Sequence, residues 1–404
     1  MPRLFLYSSG GLDEDTKMKR TDMPPCSQSS ETVFLPSYSG GSCCAESHGE
    51  SRPVLPRLDQ GFVTGVVATP VGSLPRVSSQ LQGRDHWGAF KARWGVGRMD
   101  YAVDPGLYAL GNPDRESPVL VSANYKLSFD VLRSALPGRD IWILVLDTKG
   151  INVWCAAGKG TFGTEELLGR IESSGLREVV NHRFLIVPQL GAPGVSAYIV
   201  KKLSGFAVRF GPIRAGDIPA YLDAGFKATS DMRLKTFPLW ERAVLIPVEL
   251  VGTMKPALII APLLFLLGGF VGPAGFWPSA FHEGVFAVLA LLSAILAGAV
   301  IHPLLLPYLP GRAFSVKGLS LGAVVAVIVL SMHGYDLSLW RGRLGILAWL
   351  LLIPAVTAYL AMNFTGASTF TSPSGVNREM RWALPTEIGL GLTGLFLWVV
   401  SYLV

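Results

Sequence analysis

"DIWILVLDTKGINVWCAAGKGTFGTEELLGRIESSG", Asp140 to Gly175, runs through a strand, a turn and a helix, with a patch of small residues around one cysteine between them. The apolar run after Asp140 is short and bounded by Asp147, Thr148, Lys149 and Gly150, as in a buried strand, and "GTEELLGRIESSG" has helical apolar spacing. The pattern recurs on both sides. "PVLVSAN" precedes the helical "KLSFDVLRSAL", "RFLIVPQLG" precedes "GVSAYIVKKLSG", and "AVRFGP" precedes "RAGDIPAYLDAG". Strand and helix alternating at this interval predict a Rossmann-like α/β domain with a mostly parallel sheet and helices on its faces. Ligands of such sheets sit at the carboxyl ends of the strands. The loops at 122–125, 147–160, 188–194 and 211–216 are therefore expected to meet at one edge, with Cys155 among them.

The chain has 404 residues, half of them hydrophobic, and a formal net charge of +6. Long uncharged runs fill the last 150 or so residues, and charged residues concentrate before Lys255, so a soluble part is followed by a membrane part. Lys and Arg are scattered rather than clustered on one element, and several flank apolar runs. The basicity reads as membrane topology, not as a nucleic-acid footprint. Cys26, Cys43, Cys44 and Cys155 form no CxxC pair and no even framework, which excludes a disulfide scaffold and a conventional zinc site.

Four segments are expected: a disordered tail over 1–85, rich in Ser, Gly and Pro; the α/β domain over 86–235; a linker over 236–253; and an all-α transmembrane domain of five helices over 254–404. The spans are expected at roughly 254–272, 284–301, 317–333, 344–362 and 385–404. Arg233, Lys235 and Arg242 precede the first, with Lys255 at its start; Arg312 lies between the second and third, with Lys317 at the start of the third; and Arg378 and Arg381 lie between the fourth and fifth. The loop between the first two spans has no Lys or Arg, whereas that between the third and fourth has Arg341 and Arg343. Positive-inside bias predicts a multi-pass protein of the cell membrane, with the α/β domain in the cytoplasm and the C-terminus outside. The apolar run in "MPRLFLYSSGG" is too short for a signal peptide, in keeping with a cytoplasmic domain. Glu283, His282, His302, His333 and Asp336 all fall at expected span ends, which favours an anchor or partner platform over a transporter.

Two readings of Cys155 follow from its neighbours. As a helix, "NVWCAAGKG" puts Asn152, Cys155 and Lys159 on one face, with Ala156 and Gly158 adjoining, so that a broad flat group would meet little side chain except one sulfur. Alternatively, a lone cysteine is a small core residue. A catalytic Cys–His pair finds no support, since His86 and His182 sit in no motif, and "GKGTFGT" lacks the spacing of a phosphate loop.

"NVWCAAGKGTFGT", with "SPVLVSANYKLSFDVLR" before it and "FGPIRAGDIPAYL" after it, closely resembles the membrane-anchored corrinoid proteins of the bacterial and archaeal mercury-methylation pair. The soluble part is similar to the corrinoid domain of the corrinoid iron-sulfur protein of the acetyl-CoA pathway, in which this helix lacks the cysteine. That relative also carries a cysteine cluster for a 4Fe-4S centre, for which Cys26, Cys43 and Cys44 are too few. The resemblance implies a corrinoid-dependent methyltransferase that passes methyl from the cobalt of cobalamin to Hg(II), with the Cys155 thiolate as catalytic lower axial ligand. It implies that Asn152, Val153, Trp154, Ala156, Ala157, Gly158 and Lys159 form the cap helix below the corrin, and that Ser122, Ala123, Asn124, Tyr125, Gly211 and Pro212 contact the cofactor. The implied partners are a small ferredoxin with two 4Fe-4S clusters and a methyl-donor protein of the methyltetrahydrofolate pathway. Other readings are a corrinoid carrier with a different acceptor, and a transporter or receptor with a ligand-sensing α/β domain.

The topology is open to direct test. In a background lacking the native cysteines, single cysteines at Gly275 and Ser374 should react with a membrane-impermeant maleimide from opposite sides, the former from outside. Reaction of both from one side would overturn the five-span arrangement.

Overall fold

Short, mostly apolar runs make the strands at the centre of the sheet. A computed structural model describes residues 53–271, 274–365 and 373–403. Cys26, Cys43 and Cys44 lie outside the described residues. The strands are β1 (Val63–Thr69), β2 (Gly72–Val77), β3 (Gly106–Leu110), β4 (Val119–Ala123), β5 (Ile141–Leu146), β6 (Phe184–Val187) and β7 (Ala207–Phe210). They form one sheet in the order β1-β2-β3-β5-β4-β6-β7. From β5 to β7 the neighbours are parallel, the part that the strand and helix alternation forecast. β3 runs antiparallel to β5, and β1 and β2 form an antiparallel hairpin, so the whole sheet is mixed. β4 and β5 are buried at every position, as strands covered on both faces must be.

The helices of this domain are α1 (Gly83–Arg93), α2 (Lys126–Ser134), α3 (Val153–Lys159), α4 (Thr164–Ser173), α5 (Leu176–Val179), α6 (Ala197–Ser204) and α7 (Ile218–Asp223). Phe129 and Leu132 of α2 and Ile218 and Tyr221 of α7 pack with Leu120, Ile143 and Ile186 on one face. Leu167 and Ile171 of α4 and Val200 of α6 pack with Val121, Leu144 and Leu185 on the other.

The domain begins earlier than the expected boundary at residue 86. β1 and β2 lie inside the segment read as tail, and Leu74 and Val77 are part of the core. β1 does alternate partly buried with exposed residues, but Gly65, Gly72 and Pro75 interrupt the β-favouring residues, and the hairpin is secured by a sheet contributed from elsewhere in the chain.

Among the described residues, five helices are long and apolar enough to cross a membrane: Leu239–Phe270, Phe276–Leu305, Phe314–His333, Trp340–Met362 and Gly375–Val400. The third and fourth approach closely at Gly318 and Gly322. A Cβ on these glycines would lie 2.6 Å from Ala358 Cα and 2.5 Å from Pro354 Cα, the small-residue contact that brings membrane helices together. The fifth helix starts about ten residues before the expected span, since Arg378, Glu379 and Arg381 lower the hydropathy without breaking the helix. Glu387 thereby falls near mid-span, 5% exposed, its carboxylate oxygens without a hydrogen-bond partner among the described residues. This corrects the expectation that charged residues stay at span ends.

A buried ion network ties α1 to α2. Lys126 Nζ lies 2.7 Å from both Asp85 and Asp130, and Arg133 lies 2.9 and 2.8 Å from the same carboxylates. Burial opposes the charge on Asp85, yet hydrogen bonds from Lys126, the Gln82 amide and Arg133 prevail and hold its carboxyl down to about 2. A carboxyl depressed on folding stabilises the native state above its unfolded value, about 4, and loses that contribution as pH falls through the folded value. Acid unfolding followed by circular dichroism should therefore steepen between about pH 4 and pH 2. Asp85→Ala should remove that slope and cost about 3–5 kcal/mol, because it leaves buried cations short of a partner.

Candidate functional site

The carboxyl ends of β5, β4, β6 and β7 meet at one edge, since these strands are parallel neighbours. From β4 the chain passes through α2 to β5 on one side, and from β6 through α6 to β7 on the other. The crevice between the ends of β4 and β6 is therefore a topological switch point, the place where open α/β sheets bind ligands. α3 lies there, packed against β4 and Gln189–Gly191.

α3 is short and held at both ends. Asn152 Oδ1 accepts the Cys155 N–H at 2.9 Å, a side-chain cap, and Gly160 ends the helix with φ +80°, a conformation suited to glycine. Ala156 and Ala157 are buried in the core, and Val153 packs against it. Trp154 (45% exposed), Gly158 and Lys159 face outward, and Cys155 is half-buried. A Cβ at Gly158 would meet nothing within 4 Å. The outward surface is one thiol beside a bare stretch of backbone, rimmed by Trp154 and Lys159.

The loop after β6 packs against the base of this helix. A Cβ at Gly194 would lie 2.1 Å from Phe162 O and 3.3 Å from Ala157 Cα, so only glycine admits this approach. The Thr164 N–H donates to Gly194 O at 3.1 Å, and the Ser196 N–H to Thr164 Oγ1 at 2.8 Å.

Asn124, buried at the end of β4, organises the loop that leads into α3. Its Oδ1 accepts the Thr148 N–H at 3.1 Å and the Gly150 N–H at 3.0 Å, with Thr148 Oγ1 at 2.8 Å. Its Nδ2 donates to Asp147 Oδ1 at 3.2 Å. The Asp147 N–H in turn donates to Glu166 of α4 at 2.8 Å, and Glu166 pairs with Arg170. Burial opposes the charge on Asp147, but Lys149 and its backbone N–H hold its carboxyl below the ordinary carboxylate range. Lys149 and Gly150 both take positive φ.

The residues expected at the site divide into two groups. Val153 to Lys159 form one helix with Asn152 as its N-cap, and Asn124 and Tyr125 stand at the strand end beside it. Ser122 and Ala123 lie within β4 and are buried, so they support the edge from beneath. Gly211 and Pro212 are buried at the end of β7, where the Gly211 N–H donates to Val187 O at 2.9 Å. Thr148, fully buried against Asn124, was not singled out from sequence, although Asp-Thr-Lys-Gly after a strand is turn-forming. Arg98 stacks 5.6 Å from the Tyr125 ring, and Met99 O sits 2.8 Å from the Cβ position of Gly150, so a segment outside the strand and helix pattern walls the site. His182 lies at the opposite edge, 2.9 Å from Ser117 O, and forms no dyad with Cys155. A cleft of about 310 Å³ between Arg76, Gly111 and Arg139 also opens at that opposite edge.

Residues 96–222 match the CO dehydrogenase/acetyl-CoA synthase delta subunit family. The match contains the whole strand-end site and stops before the first span. The chain is also 34% identical over 128 residues to the gamma subunit of the acetyl-CoA decarbonylase/synthase complex of Methanopyrus kandleri, covering 31% of this chain and 27% of the relative. It is 33% identical over 128 residues to the Archaeoglobus fulgidus gamma subunit, with the same coverage, and 37% identical over 97 residues to that of Methanocaldococcus jannaschii, covering 24% of this chain and 20% of the relative. The chain thus spans about a quarter of the length of the first two relatives.

Asn124→Ala should uncouple the loop from β4. Unpaired buried groups cost about 1–3 kcal/mol each. A fall in domain stability of that order is expected, with faster hydrogen exchange at the Thr148 and Gly150 amides than at the β4 amides. Unchanged exchange at both would show that the loop is held by other contacts.

Proposed function

We propose that the α/β domain binds a corrinoid against α3, base-off, and that the protein passes methyl to Hg(II), forming methylmercury. The observation that carries this reading is the surface of α3, a half-buried Cys155 beside a Gly158 open to solvent, set at the switch point of the sheet. That surface fits a flat macrocycle, because no side chain there stands between the backbone and the sulfur. A bound corrinoid supplies a cobalt able to carry a methyl group.

The chain's own residues then have definable work. Cys155 Sγ would hold the cobalt of that group, and a thiolate, as a strongly donating ligand, would favour release of methyl with its bonding electron pair to a soft electrophile such as Hg(II). Asn152 caps the helix and so fixes the direction of the sulfur, while Ala156 and Ala157 anchor the opposite face in the core. Trp154 and Lys159 border the macrocycle. Asn124 and Tyr125 hold the adjoining loops, with Ser122, Ala123, Gly211 and Pro212 beneath the edge. A small ferredoxin with two 4Fe-4S clusters would return the cobalt to its reduced state, and a protein of the methyltetrahydrofolate pathway would supply the methyl group. The positive-inside count supports a cytoplasmic position for this domain. A methyl carrier with another acceptor is the second reading, favoured by the similarity to subunits of an acetyl-CoA decarbonylase/synthase complex.

Replacing Cys155 tests the assignment. In Cys155→Ala the visible spectrum of the oxidised, cobalamin-loaded protein should shift and Hg(II) methylation should collapse. Folding should change by no more than about 1 kcal/mol, since a half-exposed sulfur leaves little cavity. Cys155→His should keep an axial ligand, visible in the spectrum, yet methylate Hg(II) poorly, because imidazole donates less charge. Wild-type spectrum and methylation in Cys155→Ala would make Cys155 an ordinary packing residue. Methylation of a different acceptor but not of Hg(II) would select the second reading.

A further inference from the structure

The membrane helices carry a second cluster of ligand-type side chains, on the face opposite the α/β domain. By connectivity the loop between the first two spans, the loop between the third and fourth, and the C-terminal residues share that face. His282 and Glu283 lie on a π-helical turn, Ala280–Gly284, at the start of the second span, and His333 ends the third. π-Turns inserted in α-helices are frequent at functional sites. Ligand atoms of these residues all lie within 4.8 Å of one another. His282 Nδ1 is 3.4 Å from Glu283 Oε1, and His333 Nε2 is 3.5 Å from Oε2.

We propose that His282, Glu283 and His333 bind a divalent transition-metal ion of the Zn(II) type. Metal–ligand bonds of about 2.1 Å in a tetrahedral array separate the ligand atoms by roughly 3.4 Å; each histidine nitrogen already stands near that distance from one of the two Glu283 oxygens, and a small turn of the side chains from their 4.8 Å spread would bring one oxygen and both nitrogens onto an ion. Two imidazoles and one carboxylate suit zinc and exclude the all-oxygen preference of magnesium and calcium. The surroundings are those of an oriented ligand set. Tyr402 Oη donates to Glu283 Oε2 at 2.6 Å, and the His333 ring stacks on Phe286 with centroids 3.8 Å apart. Glu283 is buried, while His282 is exposed and gives an ion its way in from solvent, with the fourth position left to water. Among the described residues, Arg341, 3.2 Å from Glu283 Oε1, is the cation in contact with this carboxylate that is not itself a ligand, and it competes with the metal. The site is therefore tuned toward weak, exchangeable binding. It does not depend on the corrinoid reading.

The test uses the full chain in detergent, stripped of metal, with its thiols alkylated, dialysed against Zn(II) and assayed by elemental analysis and isothermal titration. The wild type should retain one zinc that His282→Ala and His333→Gln lose. His282→Cys, introduced with the four native cysteines replaced instead of alkylated, should restore it, since thiolate is a good zinc ligand. Arg341→Gln should keep the stoichiometry and bind more tightly. His282 is exposed, so its loss should leave the protein monodisperse in size-exclusion chromatography. Equal zinc content in the wild type and His282→Ala, or no zinc on the monodisperse wild type, would overturn the site.

Discussion

The side-chain amide of Asn124 is the pivot of the soluble domain. Where a buried strand ends, the next backbone amides cannot reach water and must find partners inside. Here Asn124 Oδ1 accepts from Thr148 and Gly150, while Nδ2 steadies Asp147. An asparagine both donates and accepts without a charge, so one side chain closes the ends of two neighbouring strands. The direction of the loop is then set, Asn152 caps the helix that follows, and Ala156 and Ala157 turn into the core. Cys155 is left on the outer side because Ala156 and Ala157 face inward.

The second constraint is steric. The loop after β6 reaches α3 only because Gly194 has no side chain, and this contact closes the crevice from the far side. A thiol on a mobile loop would be a poor axial ligand, because ordering it would oppose binding. A thiol on a helix pinned from both sides carries that ordering cost within the fold itself.

Buried charge is handled differently in the two halves. Asp85, Asp130, Lys126 and Arg133 compensate one another within the α/β domain, and each carboxylate meets both cations. In the membrane helices Glu283 gathers Arg341, Tyr402 and two histidines, whereas Glu387 has no hydrogen-bond partner among the described residues. Ionisable groups in or at the edge of a membrane are costly, and the two carboxylates meet that cost in different surroundings.

Much of this was legible in the order of residues. Apolar runs such as Ile141–Leu146 and the alternation of strand and helix specified four parallel strands and the edge where their loops meet, because periodicity depends only on neighbours along the chain. Hydropathy likewise marked five spans, since one solvent, hydrocarbon, sets their composition. Tertiary structure decided the rest. β1 and β2 became a hairpin held to the sheet by the pairing of β2 with β3, Ser122 and Ala123 were drawn below the surface of the edge, and the fifth span began earlier because Glu379 finds the Ser315 N–H at 2.7 Å. His282, Glu283 and His333 met only when the second and third spans packed. Local pattern records which face of an element is apolar. Which polar groups share a buried place depends on contacts between segments far apart in the chain, and no periodicity encodes those.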